Sequence, residues 1–299
     1  MLQSPRAEVE PLDLELLRNW PLPVDPDGDK YSRGIVLVVG GSVSTPGAVI
    51  LASMAALRMG AGKLQIATEP SIAGAVAIAV PESKVFALDD APDKPSGQDS
   101  EIRKAMTQAD CVLIGPGMER SDATTGLIVN AFESVADSAV LVLDAAAIPS
   151  LRTIEPTLRK RVTGRLVLTP NRQELEDLLQ DRADTDETGD DHTTAAQAMR
   201  AAGEFDAVVA SFGSVCAHTG RSWQMCAGHP ALGTSGSGDV LAGLVAGTAA
   251  RSPPPPQAAC WGTLVHALAG QRLGQRHGQL GFLARELIGE IGSVVPSPP

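Results

Sequence analysis

The sequence predicts a doubly wound α/β fold, a mostly parallel sheet flanked by helices on both faces. Short β-branched runs alternate with longer helical patterns along most of the chain. Ala, Val, Leu and Gly are abundant while aromatic residues make up 3%, which suits helices packed closely over a parallel sheet. Right-handed crossovers then bring the strand C-termini, and the loops after them, to one edge.

The first strand is expected at 35–39 and reads as buried. A helix over 46–59 follows, with Pro46 at its start. Further strands are expected at 64–68, 85–88, 111–114, 140–143, 166–168 and 207–210. Helical patterns at 71–79, 100–107, 123–135, 172–179 and 193–202 separate most of them. After Ala210 the order changes, and strands at 215–218 and 223–226 form a hairpin. A glycine loop and a helix over 239–250 come next. The four prolines 253–256 read as a rigid turn before the last helices, 257–275 and 283–291. The stretches 89–99 and 181–191 are acidic and turn-rich, as solvated loops are. The expected organisation is an N-terminal extension over 1–29 and a single domain over 30–299.

The net charge is −11, which argues against nucleic acid as the main partner. It leaves nucleotides open, because helix N-termini bind phosphate at any global charge. The four cysteines, Cys111, Cys216, Cys226 and Cys260, are far apart and read as reduced thiols without a zinc site. No signal peptide and no apolar run long enough for a membrane span are visible, so the expected location is the cytoplasm. His192, His218, His229, His266 and His277 are scattered without metal-ligand spacing or a triad arrangement.

Chemistry is expected at the strand ends. Residues 233–243 run from a glycine-rich loop into an apolar helix with one acid at the junction. Gly236 and Gly238 permit a sharp turn and close ligand approach. The first amides of the helix face outward towards phosphate. Asp239 then fits a base that holds a hydroxyl about to lose its proton. This combination suggests phosphoryl transfer to an alcohol; a capped turn is the other reading. The loop 40–48 offers hydroxyls at a helix start or serves as a tight turn. Gly115-Pro116-Gly117 gives a rigid floor or a structural turn. Asp144 could orient a hydroxyl, hold magnesium, or cap a helix. Asn171 could cap the next helix with Glu174, or lend its amide to a substrate.

The order of these motifs resembles one family, the ADP/ATP-dependent NAD(P)H-hydrate dehydratases. Val39-Gly40-Gly41-Ser42, Pro46-Gly47-Ala48 and Ala55-Ala56-Leu57-Arg58-Met59-Gly60-Ala61-Gly62 look like that family's opening. Gly115-Pro116-Gly117, Leu168-Thr169-Pro170 and Gly236-Ser237-Gly238-Asp239-Val240-Leu241-Ala242-Gly243 follow in its order. The resemblance spans roughly residues 30 to 290. It implies a ribokinase-like fold and a lyase that repairs the S epimer of hydrated NADH or NADPH (NADHX or NADPHX). ADP or ATP would phosphorylate the ring hydroxyl, and phosphate would then leave.

Carried over by residue, Asp239 would be the base, with Gly236 and Gly238 in the catalytic loop. The hydrate would contact Ala48, Gly117, Asn171 and Asp239. The nucleotide would lie along Ser211, Phe212, Gly213, Ser214 and Val215 and against Ser237 and Gly238, with Mg2+ sharing the charge. The resemblance also implies a homo-oligomer, a tetramer being one form. Two positions depart from the family: Asn171 stands where His is usual, and Phe212-Gly213 where Lys-Gly is usual. A kinase of another small alcohol, such as a vitamin precursor or sugar, and a non-catalytic nucleotide-binding protein are the alternatives.

Overall fold

The computed structural model describes residues 9–23, 28–88, 97–180, 194–225, 232–278 and 280–295, with 97–100 as backbone only. Residues 89–96 and 181–191, read as solvated loops, lie outside the described residues, as do Cys226, His192 and His229. The chain begins with β1 (Val9–Pro11), α1 (Leu14–Asn19), β2 (Ile35–Val39), α2 (Pro46–Arg58) and β3 (Lys63–Thr68). It continues through α3 (Pro70–Ala79), β4 (Ser83–Ala87), α4 (Gly97–Gln108), β5 (Cys111–Ile114) and α5 (Asp122–Ser134). Then come β6 (Val140–Leu143), α6 (Ala147–Ser150), α7 (Pro156–Arg159), β7 (Leu166–Leu168), α8 (Arg172–Leu179) and α9 (Thr194–Glu204). The last elements are β8 (Ala207–Ser211), β9 (Ser214–Ala217), β10 (Ser222–Gln224), α10 (Ser237–Ala249), α11 (Pro255–His277) and α12 (Ala284–Val294).

The ten strands form one sheet in the order β1-β10-β9-β8-β7-β6-β5-β2-β3-β4. Only β9 runs against the others, pairing antiparallel with both β8 and β10. The seven strands from β8 to β4 are parallel. From β2 the chain moves outward through β3 and β4, then returns to lay β5 on the other flank of β2. The C-terminal ends of β2 and β5 therefore bracket the switch point, where open α/β sheets bind ligands.

Each sheet face carries its own apolar layer. Val36 and Val38 of β2 face α2, α3, α10, α11 and α12, while Leu37 and Val39 face α4, α5, α6, α8 and α9. Small residues bring the first set close. A Cβ on Gly243 or Gly247 of α10 would stand 2.1 and 2.3 Å from the Ala52 and Ala56 carbonyls of α2. Packing at that distance fixes the N-terminus of α10 relative to the start of α2.

Several boundaries differ from the sequence reading. The strand expected at 85–88 begins two residues earlier, at Ser83, and residues 97–99, read as loop, already belong to α4. The hairpin strands begin at Ser214 and Ser222, and a second tight turn at Phe212-Gly213 joins β8 to β9. Helix α10 starts at Ser237 because Gly236 takes the left-handed conformation that closes the loop. Proline is tolerated in a first helical turn, so Pro255 already opens α11. Before residue 30, β1 lies on the edge of the sheet and Trp20 packs against Trp223, ring centroids 5.7 Å apart. Gln257 and Trp261 both donate to the Trp20 carbonyl. Cys111, Cys216 and Cys260 are buried free thiols. No helix of the described residues is long and apolar enough to cross a membrane.

Candidate active site

At the switch point two loops are joined. The Gly41 amide donates to the Pro116 carbonyl at 2.8 Å, and the Thr45 hydroxyl donates to the Gly117 carbonyl at 2.8 Å. A Cβ on Gly117 would fall 2.8 Å from that of Ala48. The two predicted substrate contacts Ala48 and Gly117 therefore touch, and a side chain at 117 would displace the α2 start. The Ser42 hydroxyl lies 2.9 Å from those of Ser44 and Thr45, lining the same entry with hydroxyls.

Asp144 ends β6 and is buried. Its Oδ1 accepts from the Thr169 hydroxyl at the end of β7, at 2.7 Å. The capping role does not apply, because α6 is capped at Ala146 with no side-chain bond. Burial pushes the Asp144 carboxyl well above the usual range, against the Thr169 hydrogen bond, and the nearby charges of Asp239 and Glu174 push the same way.

Asn171 caps α8 in a complete box. Its Oδ1 accepts from the Glu174 amide, and Glu174 accepts from the Asn171 amide, both at 2.9 Å. The Asn171 side-chain nitrogen also donates to Glu174 at 2.6 Å. The capping reading holds, and both ends of the Asn171 amide are engaged. Beside them Arg120 is paired with Asp177.

At the start of α10, Gly236 has φ of 86°, and a Cβ there would meet Leu51 at 2.7 Å. Gly238 is exposed, with open space where a Cβ would stand. Among the described residues, the amides of Gly238 and Asp239 find no backbone acceptor. Together they form an open anion cradle at a helix N-terminus. Asp239 stands beside it, its carboxyl raised to about 6 by burial and by the charge of Glu174. Ser237 is buried, its hydroxyl 2.9 Å from His266 Nε2 on α11. Burial lowers His266 to about 4, which keeps the ring neutral. Read in sequence as a scattered histidine, His266 thus supports the start of α10 from below.

The predicted nucleotide segment lies at the β8–β9 turn. Ser211 is buried and donates to the Pro170 carbonyl at 2.8 Å, tying β8 to the β7 end. Phe212 is 62% exposed. Ser214 and Val215 are buried within β9, with Val215 in the core, so their side chains face protein. The remaining residues predicted as contacts, Ala48, Gly117, Asn171, Gly213 and Gly238, stand at strand or helix ends. Among the described residues no group of three or more His, Cys, Asp or Glu is arranged to hold a metal ion.

Residues 36–292 match the family model described as NAD(P)H-hydrate dehydratase. An ADP-dependent (S)-NAD(P)H-hydrate dehydratase of Xanthomonas campestris is 42% identical over 292 residues, 95% of each chain. A bifunctional NAD(P)H-hydrate repair enzyme of Moorella thermoacetica is 32% identical over 87% of this chain, which spans 49% of that protein. Against most curated relatives of this bifunctional kind the chain spans about half their length. A ribokinase-like superfamily protein from Enterococcus faecalis superposes with a TM-score of 0.80, at 21% identity and 95% and 94% coverage. The ADP/ATP-dependent NAD(P)H-hydrate dehydratase of Bacillus subtilis, co-crystallised with ATP/Mg2+, gives 0.73 at 22% identity, covering 96% and 98%. These likenesses show the ribokinase-like α/β fold expected from the sequence.

Proposed function

The chain belongs to the NAD(P)H-hydrate dehydratase family, and from this premise we propose that it restores NADH and NADPH from the S epimer of their hydrates, with ADP or ATP as phosphoryl donor. The observation that carries the proposal is Asp239, a carboxylate raised to about 6 beside two helix amides that find no backbone acceptor among the described residues. A base with that affinity is ionised at neutral pH yet accepts a proton readily.

The ring hydroxyl of the hydrate sits against Asp239, on a floor formed by Ala48 and Gly117. Its oxygen bonds to the terminal phosphorus of the nucleotide while its proton passes to Asp239. The phosphorus–oxygen bond to the rest of the nucleotide breaks, leaving AMP from ADP. The amides of Gly238 and Asp239 face the charge on the transferred group, as fixed donors should. Phosphate then departs with the electrons of the ring carbon–oxygen bond. The departing phosphate takes up a proton from the neighbouring ring carbon, and the double bond returns. Hydroxide would leave far less easily than phosphate, which is what the nucleotide contributes.

The charges of Asp239 and Glu174 help to raise the Asp144 carboxyl, and that of Glu174 helps to raise Asp239, and a cation brought with the nucleotide would offset that repulsion. Magnesium usually arrives with nucleotide phosphates and takes one or two carboxylates from the protein. Asp144 would hold it together with the nucleotide phosphates, since both Glu174 oxygens already accept from Asn171, and it would offset charge on the phosphates. Assembly into a homo-oligomer, a tetramer included, belongs to the same proposal and draws support from exposed Val43, Met54, Ile78 and Leu283. So does a cytoplasmic location, alongside the dinucleotides that would be repaired.

The test is incubation with hydrated NADPH, magnesium and either ADP or ATP. Recovery of reduced-nicotinamide absorbance with equimolar phosphate release is expected. A stable phosphorylated product without that recovery would instead identify a small-molecule kinase, and nucleotide binding with no turnover a non-catalytic protein.

A further inference from the structure

The two-residue turn between β8 and β9 carries an unusual residue. Ser211 and Ser214 close it as a register pair. Phe212 and Gly213 have φ of 49° and 77°, the double positive φ of a type I′ turn. Gly, Asn and Asp take the first of these positions readily, and a bulky side chain there is strained. The ring is also 62% exposed, so little burial compensates the strain. Neither turn geometry nor the hydrophobic effect accounts for a phenylalanine at this place.

What the ring does touch is a cation. The Arg172 guanidinium lies over it, 5.6 Å from the centroid. Arg172 opens α8 directly after the Asn171 cap, so its backbone is fixed by the capping box. Among the described residues it enters no ion pair, whereas neighbouring Arg120 is committed to Asp177. The bond from Ser211 to Pro170 locks the two strand ends that carry this pair. An uncommitted guanidinium is thus held at the ligand edge of the sheet, close in sequence to the carboxylate of Glu174. Such a group suits a phosphate, which guanidinium binds through paired hydrogen bonds.

We propose that Arg172, steered by the ring of Phe212, is the cation that grips a phosphate of the adenine nucleotide. Arg172 is a binding residue in this assignment and Phe212 a positioning residue that acts through it. The inference rests on the functional reading above, in that the phosphate is taken to be the co-substrate's.

The experiment is calorimetric titration of ADP and of adenosine into wild type, Arg172→Gln, Phe212→Asn and the double variant, with thermal melts of each. Arg172→Gln should bind ADP about tenfold or more weakly, with adenosine unchanged. Asn suits the turn, so Phe212→Asn should raise the melting temperature while weakening ADP binding severalfold. The double variant should bind no more weakly than Arg172→Gln, because the ring acts only through the guanidinium. Arg172→Gln with wild-type ADP affinity overturns the assignment and leaves the functional reading standing. Equal loss for adenosine overturns it too, since that would place Arg172 at the base or sugar. Wild type that binds no adenine nucleotide overturns both.

Discussion

The Ser237 hydroxyl lies 2.9 Å from Nε2 of His266, joining the first residue of α10 to the middle of α11 inside the protein. The loop that presents Asp239 is held from below by a ring that burial keeps neutral. Activity should therefore lose its acid limb as pH falls through about 6, where Asp239 takes up a proton. His266→Gln should lower the rate yet leave that midpoint in place in a kcat profile. A midpoint that vanishes with the imidazole would reassign the limb to His266.

Asp239→Asn should lower kcat by about 10²–10⁴-fold and leave nucleotide affinity intact. Its effect on stability has the opposite sign. Between pH 3.8 and about 6 the unfolded chain ionises this carboxyl while the folded chain keeps its proton, so folding loses free energy as pH rises through that window. The amide should recover about 1–3 kcal/mol at neutral pH, read by denaturant melts. An inactive variant that is also less stable than wild type would contradict this account.

Thr169→Val keeps shape and removes the hydroxyl that donates to Asp144. The buried carboxyl then lacks that donor, at a cost of about 1–3 kcal/mol. The Thr169 donor favours the ionised form, so the loss should grow as pH rises and the carboxyl ionises. A loss that does not change at any pH up to the alkaline limit of folding would show that Thr169 contributes through packing alone.

Gly236→Ala and Gly238→Ala should separate folding from binding. The first places a side chain at φ of 86° and 2.7 Å from Leu51, and should depress the melting temperature. The second enters open space and should leave it nearly unchanged. Its methyl group instead occupies the cradle, and nucleotide affinity should fall. Unchanged ADP affinity in Gly238→Ala would show that phosphate does not approach this face.

The parallel sheet was legible because each strand from β2 to β8 is a local apolar run bounded by turn residues. β1 was not, since three residues that include Glu10 and Pro11 carry no periodic signal and become a strand only by pairing with Ser222–Gln224. The short helices α6 and α7 lack the length for a recognisable period. In the site, Asp239, Gly236 and the Asn171–Glu174 box stood out because loop, cap and acid are contiguous. His266 and Arg172 did not. A lone histidine in an apolar helix reads as core, and its serine lies 29 positions away. The cation over Phe212 depends on the register between two strands, which single-chain patterning does not encode.

The lone edge strand before residue 30 has a consequence for biogenesis. Among the described residues β1 is made before every other strand of the sheet, yet its partner β10 is made after all of them. Until then Leu12, Leu17 and Trp20 have no α11 to cover them. The parallel strands β2 to β8 can assemble as they emerge, whereas the β1 edge closes only after synthesis of α11. Early residues thus act as a late latch, an apolar segment that stays uncovered until the last strand and α11 have been made.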